Sequence, residues 1–493
     1  MLIDGQLRKQ ASAGWLELVE PATQKKWCKV PAAGEEEVEQ AVAAAEKAYR
    51  QARWANAAPA FRAGVLQKLA NLISENSESM AILESRNVGK PISSSRAEIR
   101  AGARCFEYYA GAITQFYGKT IPLAEQSLDY TLRVPVGVVA CIVPWNFPFL
   151  MSCWKVAPAL VTGNAVILKP ASLTPLSALR MGELAIEAGV PPGIFQVITG
   201  QGSEMGDHLV CHSLVRKISL TGQTSTGAHI LKLAADDIKR VSLELGGKSP
   251  NIIFDDARVI KAARAAPLSV FDNTGQDCCA RSRVLVHRPV YDQFLDEFIK
   301  ATQKLIIGSP SEESTQIGPM VSANQRESVE TCINVACEEG GKIHCGADRS
   351  IANGFYLSPT IIDGLDSNAQ TCQKEIFGPV ACVIPFEDEA HAIELANDTE
   401  YGLSASIWTE NLGRAHRVAA AVESGVISVN TNSSVYVEVP FGGFKKSGVG
   451  RDLGTEAMLQ YTELKNIFIS LKEDQCTDAK IVKIKWPNPS RKF

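Results

Sequence analysis

The sequence predicts an α/β protein built on two parallel-sheet domains. Three observations carry that prediction. Short apolar runs alternate with amphipathic stretches of helical period from about Val136 to Glu244. The alternation starts afresh after Glu244. Glycine or proline stops most of the apolar runs, as a turn at the end of a strand requires. Strands that alternate with helices pack as a parallel sheet with helices on its faces.

The elements follow in order. "GEEEVEQAVAAAEKAYRQARWA" opens with acids and then repeats apolar residues at helical spacing. Acids at a helix start suit its dipole. "FRAGVLQKLANLISENSESMAIL" reads as a second amphipathic helix. "VGVVACIVP" is a short buried strand ended by proline, and "FLMSCWKVAPALVTG" a helix closing on Gly163. "NAVILKP" is the next strand, and "PLSALRMGELAIEAG" a helix ending at Gly189. "IFQVITG" and "VRKISLTG" are two more strands, and "TSTGAHILKLAAD" a helix. The second series is "PNIIF", a helix from about Arg258, "SRVLVH" and the helix "YDQFLDEFIKATQKL". The boundary between the two series falls near "LELGGKSP".

A chain of 493 residues is long enough for two or three domains with substantial cores. Its formal charge of -4 supplies no basic field for nucleic acid. The basic residues of "DAKIVKIKWPNPSRKF" read as a solvated end. The 13 cysteines are odd in number, and none falls in a CxxC or zinc-finger spacing. Free thiols in a reducing compartment and no bound metal are expected. The N-terminal stretch lacks a signal-peptide pattern, and no run approaches the ~20 apolar residues of a membrane span. A cytoplasmic protein is the expectation.

Ligands bind beyond the carboxyl ends of parallel strands. Three such ends carry suggestive residues: Lys169 in "ILKPAS", Gly200, Gly202 and Gly206 in "ITGQGSEMG", and Gly222 and Gly227 in "SLTGQTSTG". Glycines let backbone approach a phosphate, and a helix N-terminus favours its charge. None of them forms the G-x-G-x-x-G fingerprint, and there is no Walker A sequence. Together they favour a dinucleotide site.

"NTGQDCCA" places Cys278 beside Cys279. A small buried apolar residue is the competing reading of either cysteine. A thiol with a pKa of about 8.5 needs help to attack, and a carbonyl substrate needs donors for its oxyanion. No histidine lies near the pair in sequence; His229 and His287 are the closest. Asn146, held between prolines in "VPWNFP", has an N–H to offer an oxyanion. Glu244 in "SLELGGK" could take a proton from water. A turn asparagine and a surface glutamate are the alternatives.

The motifs "VPWNFPFLM", "GNAVILKPAS", "LTGQTSTG", "LELGGKSPNIIFDDA", "NTGQDCCA", "EIFGPV" and "PFGGFKKSGVGRDLG" occur in this order. The series resembles that of the NAD(P)-dependent aldehyde dehydrogenase superfamily, nearest in character to betaine aldehyde, aminoaldehyde and general aldehyde dehydrogenases. The likeness runs from "IDGQ" to "YTELKNIFIS". It implies Cys278 as nucleophile, Glu244 as general base, and Asn146 with the Cys278 amide as oxyanion hole. It implies a cysteine thiohemiacetal that is oxidised to a thioester and then hydrolysed to the acid.

The same resemblance implies a cofactor site of Trp145, Lys169, Ser172, Gly202, Gly222, Gln223, Gly246, Glu375 and Phe377. Gln223 stands where the family more often has serine. Ser172 stands where many strictly NAD-using relatives have glutamate, so both NAD and NADP are expected to serve. The implied aldehyde tunnel is Phe147, Leu150, Met151, Trp154 and Phe441, which fits an uncharged aliphatic or aromatic aldehyde. Arg100 and Arg104 disfavour a cationic aldehyde and favour a semialdehyde carboxylate. A narrow semialdehyde, betaine aldehyde or aminoaldehyde specificity is the alternative within the family; a non-redox cysteine esterase or acyltransferase is the alternative outside it.

The family architecture implies a Rossmann-like cofactor domain of residues 1–115 and 135–244 and a catalytic domain of 245–460. Residues 116–134 and 461–475 are expected to form small bridging strands of an oligomerisation domain, with a tail at 476–493. The expected partners are a small aldehyde and further copies of the chain, as a homodimer or homotetramer, with neither nucleic acid nor membrane.

Overall fold

The computed structural model describes residues 1–471. The tail at 476–493 and the end of the last bridging segment lie outside the described residues. By its contacts the chain forms two units. One comprises residues 1–115 and 135–462, the other 116–134 and the described residues from Glu463.

The larger unit holds two mostly parallel sheets. The first has eight strands. Its five central strands, Val138–Ile142, Ala165–Lys169, Phe195–Val197, Val215–Thr221 and Arg240–Glu244, are all parallel. Numbered along the chain, they lie in the order 3-2-1-4-5. That is the doubly wound order, and it reverses direction between the first strand and the fourth. Short antiparallel strands, Leu2–Ile3 and Gly448–Val449, pair with its two flanks. Val138–Ile142 and Ala165–Lys169 are buried almost throughout, which is why they read as unbroken apolar runs rather than as alternation.

The second sheet has seven strands. Pro250–Ile253, Arg283–His287, Val380–Phe386, Thr360–Asp363, Ser404–Trp408 and Val426–Val429 are parallel, and Lys342–Cys345 is antiparallel at one edge. Alternate residues feed two cores. Ile252, Leu285 and Ile407 pack on one face; Ile253, Val284 and Val286 pack on the other. The first sheet's last parallel strand ends at Glu244, and the second sheet's first begins at Pro250.

The first five α-helices are α1, Glu35–Arg50; α2, Pro59–Glu75; α3, Ser77–Val88; α4, Ile92–Ala112; and α5, Pro148–Val161. The single amphipathic helix expected from "FRAGV" onward is two helices, α2 and α3. Asn76 separates them, with φ -95° and ψ 9°, and its side chain donates to the Leu72 carbonyl at 2.8 Å. An asparagine that bonds the last turn ends a helix that periodicity alone would continue.

The smaller unit is a three-stranded sheet, with Ser127–Pro135 between Thr462–Ser470 and Thr120–Ile121. Ile121, Leu123, Leu128, Leu464, Phe468 and Ile469 are exposed on it.

Candidate active site

A cavity of about 340 Å³ opens where the first sheet reverses direction. The loop after Val138–Ile142 brings Pro144, Trp145, Asn146 and Phe147 to it. The loop after Val215–Thr221 brings Thr221, Gly222 and Gln223. This is the crevice in which a doubly wound sheet takes its ligand. Leu245, Gly246, Cys278, Glu375, Ile376 and Phe377 close it from the second sheet's side, with Met151, Thr226, Gln325 and Ser328.

Cys278 follows a strained loop. Asn273, Thr274 and Gly275 have φ of 48°, 59° and 69° in succession. A β-branched residue in this region is an outlier that its surroundings must hold. The Thr274 hydroxyl donates to the Gly318 carbonyl at 2.9 Å, and the Val321 N–H donates to Gln276 Oε1 at 2.9 Å. Gly275 is required as glycine, because a Cβ there would collide with the Gly378 carbonyl. Cys279 is buried, whereas Cys278 is partly exposed and lines the cavity. The Cys278 thiol is held well above the ordinary thiol range, first by its contact with Cys279 and then by burial, with Asp277 and Glu375 adding to the shift.

Asn146 is locked to this loop. Its Nδ2 donates to the Gln276 carbonyl at 2.9 Å, and its own carbonyl accepts from Asn273 Nδ2 at 3.0 Å. A carboxamide has two N–H groups. One is used by Gln276; the second is available to the cavity that Cys278 also lines.

Glu244 ends its strand and is only 5% exposed, so it is no surface glutamate. Its Oε2 is buried without a hydrogen-bond partner among the described residues. Burial first, then the Asp452 charge, raises its carboxyl well above the usual range, while Lys155 and Arg451 oppose the shift. Lys155 bonds Asp452 at 2.8 Å. Glu244 itself is outside the cavity lining, which begins one residue later at Leu245.

Of the residues implied for the cofactor, Trp145, Gly222, Gln223, Gly246, Glu375 and Phe377 meet in the cavity. Trp145 and Phe377 pack edge to face at 5.1 Å. Phe377 has a φ of 56°, and its carbonyl accepts from Gln325 Nε2 at 3.0 Å. Glu375 Oε1 accepts from the Gly247 N–H at 3.0 Å, and burial pushes its carboxyl up to about 7. A Cβ at Gly246 would strike that carboxylate, so a side chain there would have to displace Glu375. Lys169, Ser172 and Gly202 lie outside the lining. Lys169 is buried at its strand end, its ammonium touching the Pro170 carbonyl at 3.3 Å, and burial lowers it to about 8. Ser172 is half-buried, and Gly202 is exposed at the start of a helical turn.

Of the implied tunnel, Phe147 and Met151 line the cavity, while Leu150, Trp154 and Phe441 do not. Trp154 and Phe441 pack on each other at 5.1 Å. Arg104 is answered by Glu438 at 3.0 Å and Glu107 at 3.5 Å, so it presents no free positive charge.

Sequence reasoning missed Asn273, Gln276, Gln325 and Ser328. The first two stand within the cysteine motif, where their polar side chains beside a glycine were the available signal. Gln325 and Ser328 lie on the helix Ala323–Glu338, and nothing local marks them.

The donor set suits a dinucleotide. The Thr221 hydroxyl is buried in the lining without a partner among the described residues. Gly222 and Gln223 precede the helix Thr224–Ala234, whose first N–H groups favour an anion. Glu375 offers a carboxylate to hydroxyls.

A model of the aldehyde dehydrogenase family matches residues 8–467. The chain is 40% identical to the NADP/NAD-dependent aldehyde dehydrogenase PuuC of Escherichia coli, over 96% of each chain. It is 39% identical to the chloroplastic betaine aldehyde dehydrogenase of Amaranthus hypochondriacus, over 96% of this chain and 97% of that one. The solved indole-3-acetaldehyde dehydrogenase AldA of P. syringae, in complex with NAD+, superposes with a TM-score of 0.94 at 39% identity, covering 95% of this chain and 96% of that chain. With the whole architecture and nearly the whole length in common, the chain belongs to the aldehyde dehydrogenase family.

Proposed function

We propose that Cys278 is the nucleophile, that Asn146 and the Cys278 backbone N–H hold the oxyanion, and that Glu244 is the general base. The chain is an NAD(P)-dependent aldehyde dehydrogenase, which forms an acid through a cysteine thiohemiacetal and thioester. The observation that carries the assignment of roles is the shared cavity of Cys278 and Asn146 at the sheet's reversal point.

Once its proton has passed to solvent, the Cys278 thiolate adds to the aldehyde carbon and gives an alkoxide. The free Asn146 N–H meets that oxygen. One such donor is typically worth ~3–4 kcal/mol in the transition state. NAD(P)+, when bound, supplies a hydride acceptor and a fixed positive charge. Trp145, Gly222, Gln223, Gly246, Glu375 and Phe377 would hold it, with Lys169, Ser172 and Gly202 at its adenosine end. Glu244 takes a proton from the water that cleaves the thioester. Phe147 and Met151 in the cavity, with Leu150, Trp154 and Phe441 outside its lining, favour an uncharged aliphatic or aromatic aldehyde.

Residues 1–115 and 135–244, whose sheet takes in the later strand Gly448–Val449, serve the cofactor; residues 245–460 carry the nucleophile. The exposed apolar strands near residues 116–134 and after 461 support a homodimer or homotetramer. Free thiols throughout the described chain favour a cytoplasmic setting.

A panel of aldehydes followed at the absorbance of the reduced cofactor, with NAD and with NADP, tests the reading. Turnover is expected in the parent and its loss in Cys278→Ala. Unchanged turnover in that variant would move the nucleophile elsewhere.

A further inference from the structure

The helix that starts just past Asn146 has no cap of its own. Phe147 is the N-cap of α5 and Pro148 its first residue. A phenyl ring accepts no conventional hydrogen bond, and proline has no N–H. The orphan donors at this helix start are therefore the amides of Phe149 and Leu150.

Two glutamates from other helices accept them. Phe149 N donates to Glu84 Oε1 at 3.2 Å, and Leu150 N donates to Glu98 Oε1 at 3.3 Å. Glu84 belongs to α3 and Glu98 to α4. Lys90, in the turn between them, pairs with Glu98 and sits 4.0 Å over the Phe147 ring. The three are 1%, 5% and 2% exposed for Glu84, Glu98 and Lys90, so all are dry. Burial, and then the Glu98 charge, pushes Glu84 up to about 8, with Lys90 and Ser177 opposing.

The cluster bears on both halves of the site. Lys90 touches Phe147, the neighbour of Asn146. Its charge also reaches Asp272, at the start of the loop that leads to Cys278. Asn146 bridges the two segments through Gln276 and Asn273. A small shift at the start of α5 would move the Asn146 N–H relative to the sulfur.

We propose that Glu84, Lys90 and Glu98 are positioning residues, which cap α5 from outside and thereby aim the Asn146 N–H at the oxygen that develops on the Cys278 adduct. The proposal deepens the oxyanion-hole reading and rests on it. A buried cap of this kind is costly to break, because the amide or charge left behind has no water to turn to. Reactive geometry is correspondingly sensitive to it.

The test is a double-mutant cycle between Glu84 and Asn146, read by steady-state kinetics. Glu84→Leu strands the Phe149 amide and is expected to lower kcat by about 10- to 100-fold, with KM for aldehyde and cofactor within about twofold. Glu84→Gln keeps an acceptor oxygen for the Phe149 amide, and is expected to recover kcat to within about threefold of the parent. In an Asn146→Ala background, adding Glu84→Leu should change kcat by less than about twofold. An equal loss from Glu84→Leu in both backgrounds would overturn the proposal, as would a rise in KM at unchanged kcat. If Glu84→Leu does not fold, the same cycle is run with Lys90→Met under the same criteria. The two readings separate cleanly. If Asn146→Ala alone keeps full kcat, the oxyanion hole itself is wrong; if Asn146→Ala is slow but the cycle is additive, only the cluster's role falls.

Discussion

Asn146→Ala should separate catalysis from stability, and the structure sets both magnitudes. The side chain has two N–H groups. One donates to the Gln276 carbonyl at 2.9 Å, and one is available to the cavity. Removing the side chain does not orphan Gln276, because Asn273 Nδ2 also donates to that carbonyl, at 3.2 Å. The bond from Asn273 Nδ2 to the Asn146 carbonyl, at 3.0 Å, survives as well. The stability loss should therefore be that of one ordinary hydrogen bond, about 0.5–1.5 kcal/mol. The lost oxyanion donor should lower kcat by about 10²–10³-fold. KM for aldehyde should change little, because the charge exists only past the ground state. Stopped-flow measurement of the first turnover, beside a thermal melt, reads both quantities. A variant with parental first-turnover rates would refute the reasoning, and so would one that unfolds outright.

Three further expectations follow from the same geometry. Glu244→Gln should keep a first-turnover burst of reduced cofactor and slow the steady state, because thioester hydrolysis loses its base. Since burial and Asp452 raise the parent carboxyl, its base form grows as pH rises through that raised value, and hydrolysis should rise with it in the parent but not in the variant. A folded-state value above the unfolded one also means the folded protein binds the extra proton, so stability falls as pH climbs between the two; melts at high pH should find Glu244→Gln the more stable protein. Gly246→Ala places a Cβ against the Glu375 carboxylate and should raise the cofactor KM by about tenfold, the equivalent of ~1.4 kcal/mol, with thermal stability measured alongside. Ser172→Glu should reduce kcat/KM with NADP by about 10²-fold and spare NAD, through repulsion of the 2′-phosphate; equal loss with both cofactors would count against Ser172 as the discriminating position.

Much of this was legible in the residues, for local reasons. A parallel strand covered on both faces must be apolar throughout, so "VGVVACIVP" and "NAVILKP" announce themselves. Glycine beside a strand end marks a turn that a side chain would block, which is how Gly222 reads from the residues; Gly246 came with the family motif. The order of seven motifs led to Cys278, Asn146 and Glu244. Where periodicity was the only guide, it ran α2 and α3 together, since a single asparagine contributes little to an amphipathic pattern.

The chain's own pattern determined the class of fold and the family, and pointed to the side chains proposed for the chemistry, because each is written in short stretches whose apolar period or motif is a local property. Tertiary structure alone decided that Glu244 is buried with an oxygen unpartnered among the described residues, that Arg104 is paired with Glu438 across 334 positions, and that Glu84 and Glu98 cap the helix beside Asn146. Those encounters join residues far apart along the chain. Their geometry comes from the packing of whole helices and sheets, and no window of sequence contains both partners.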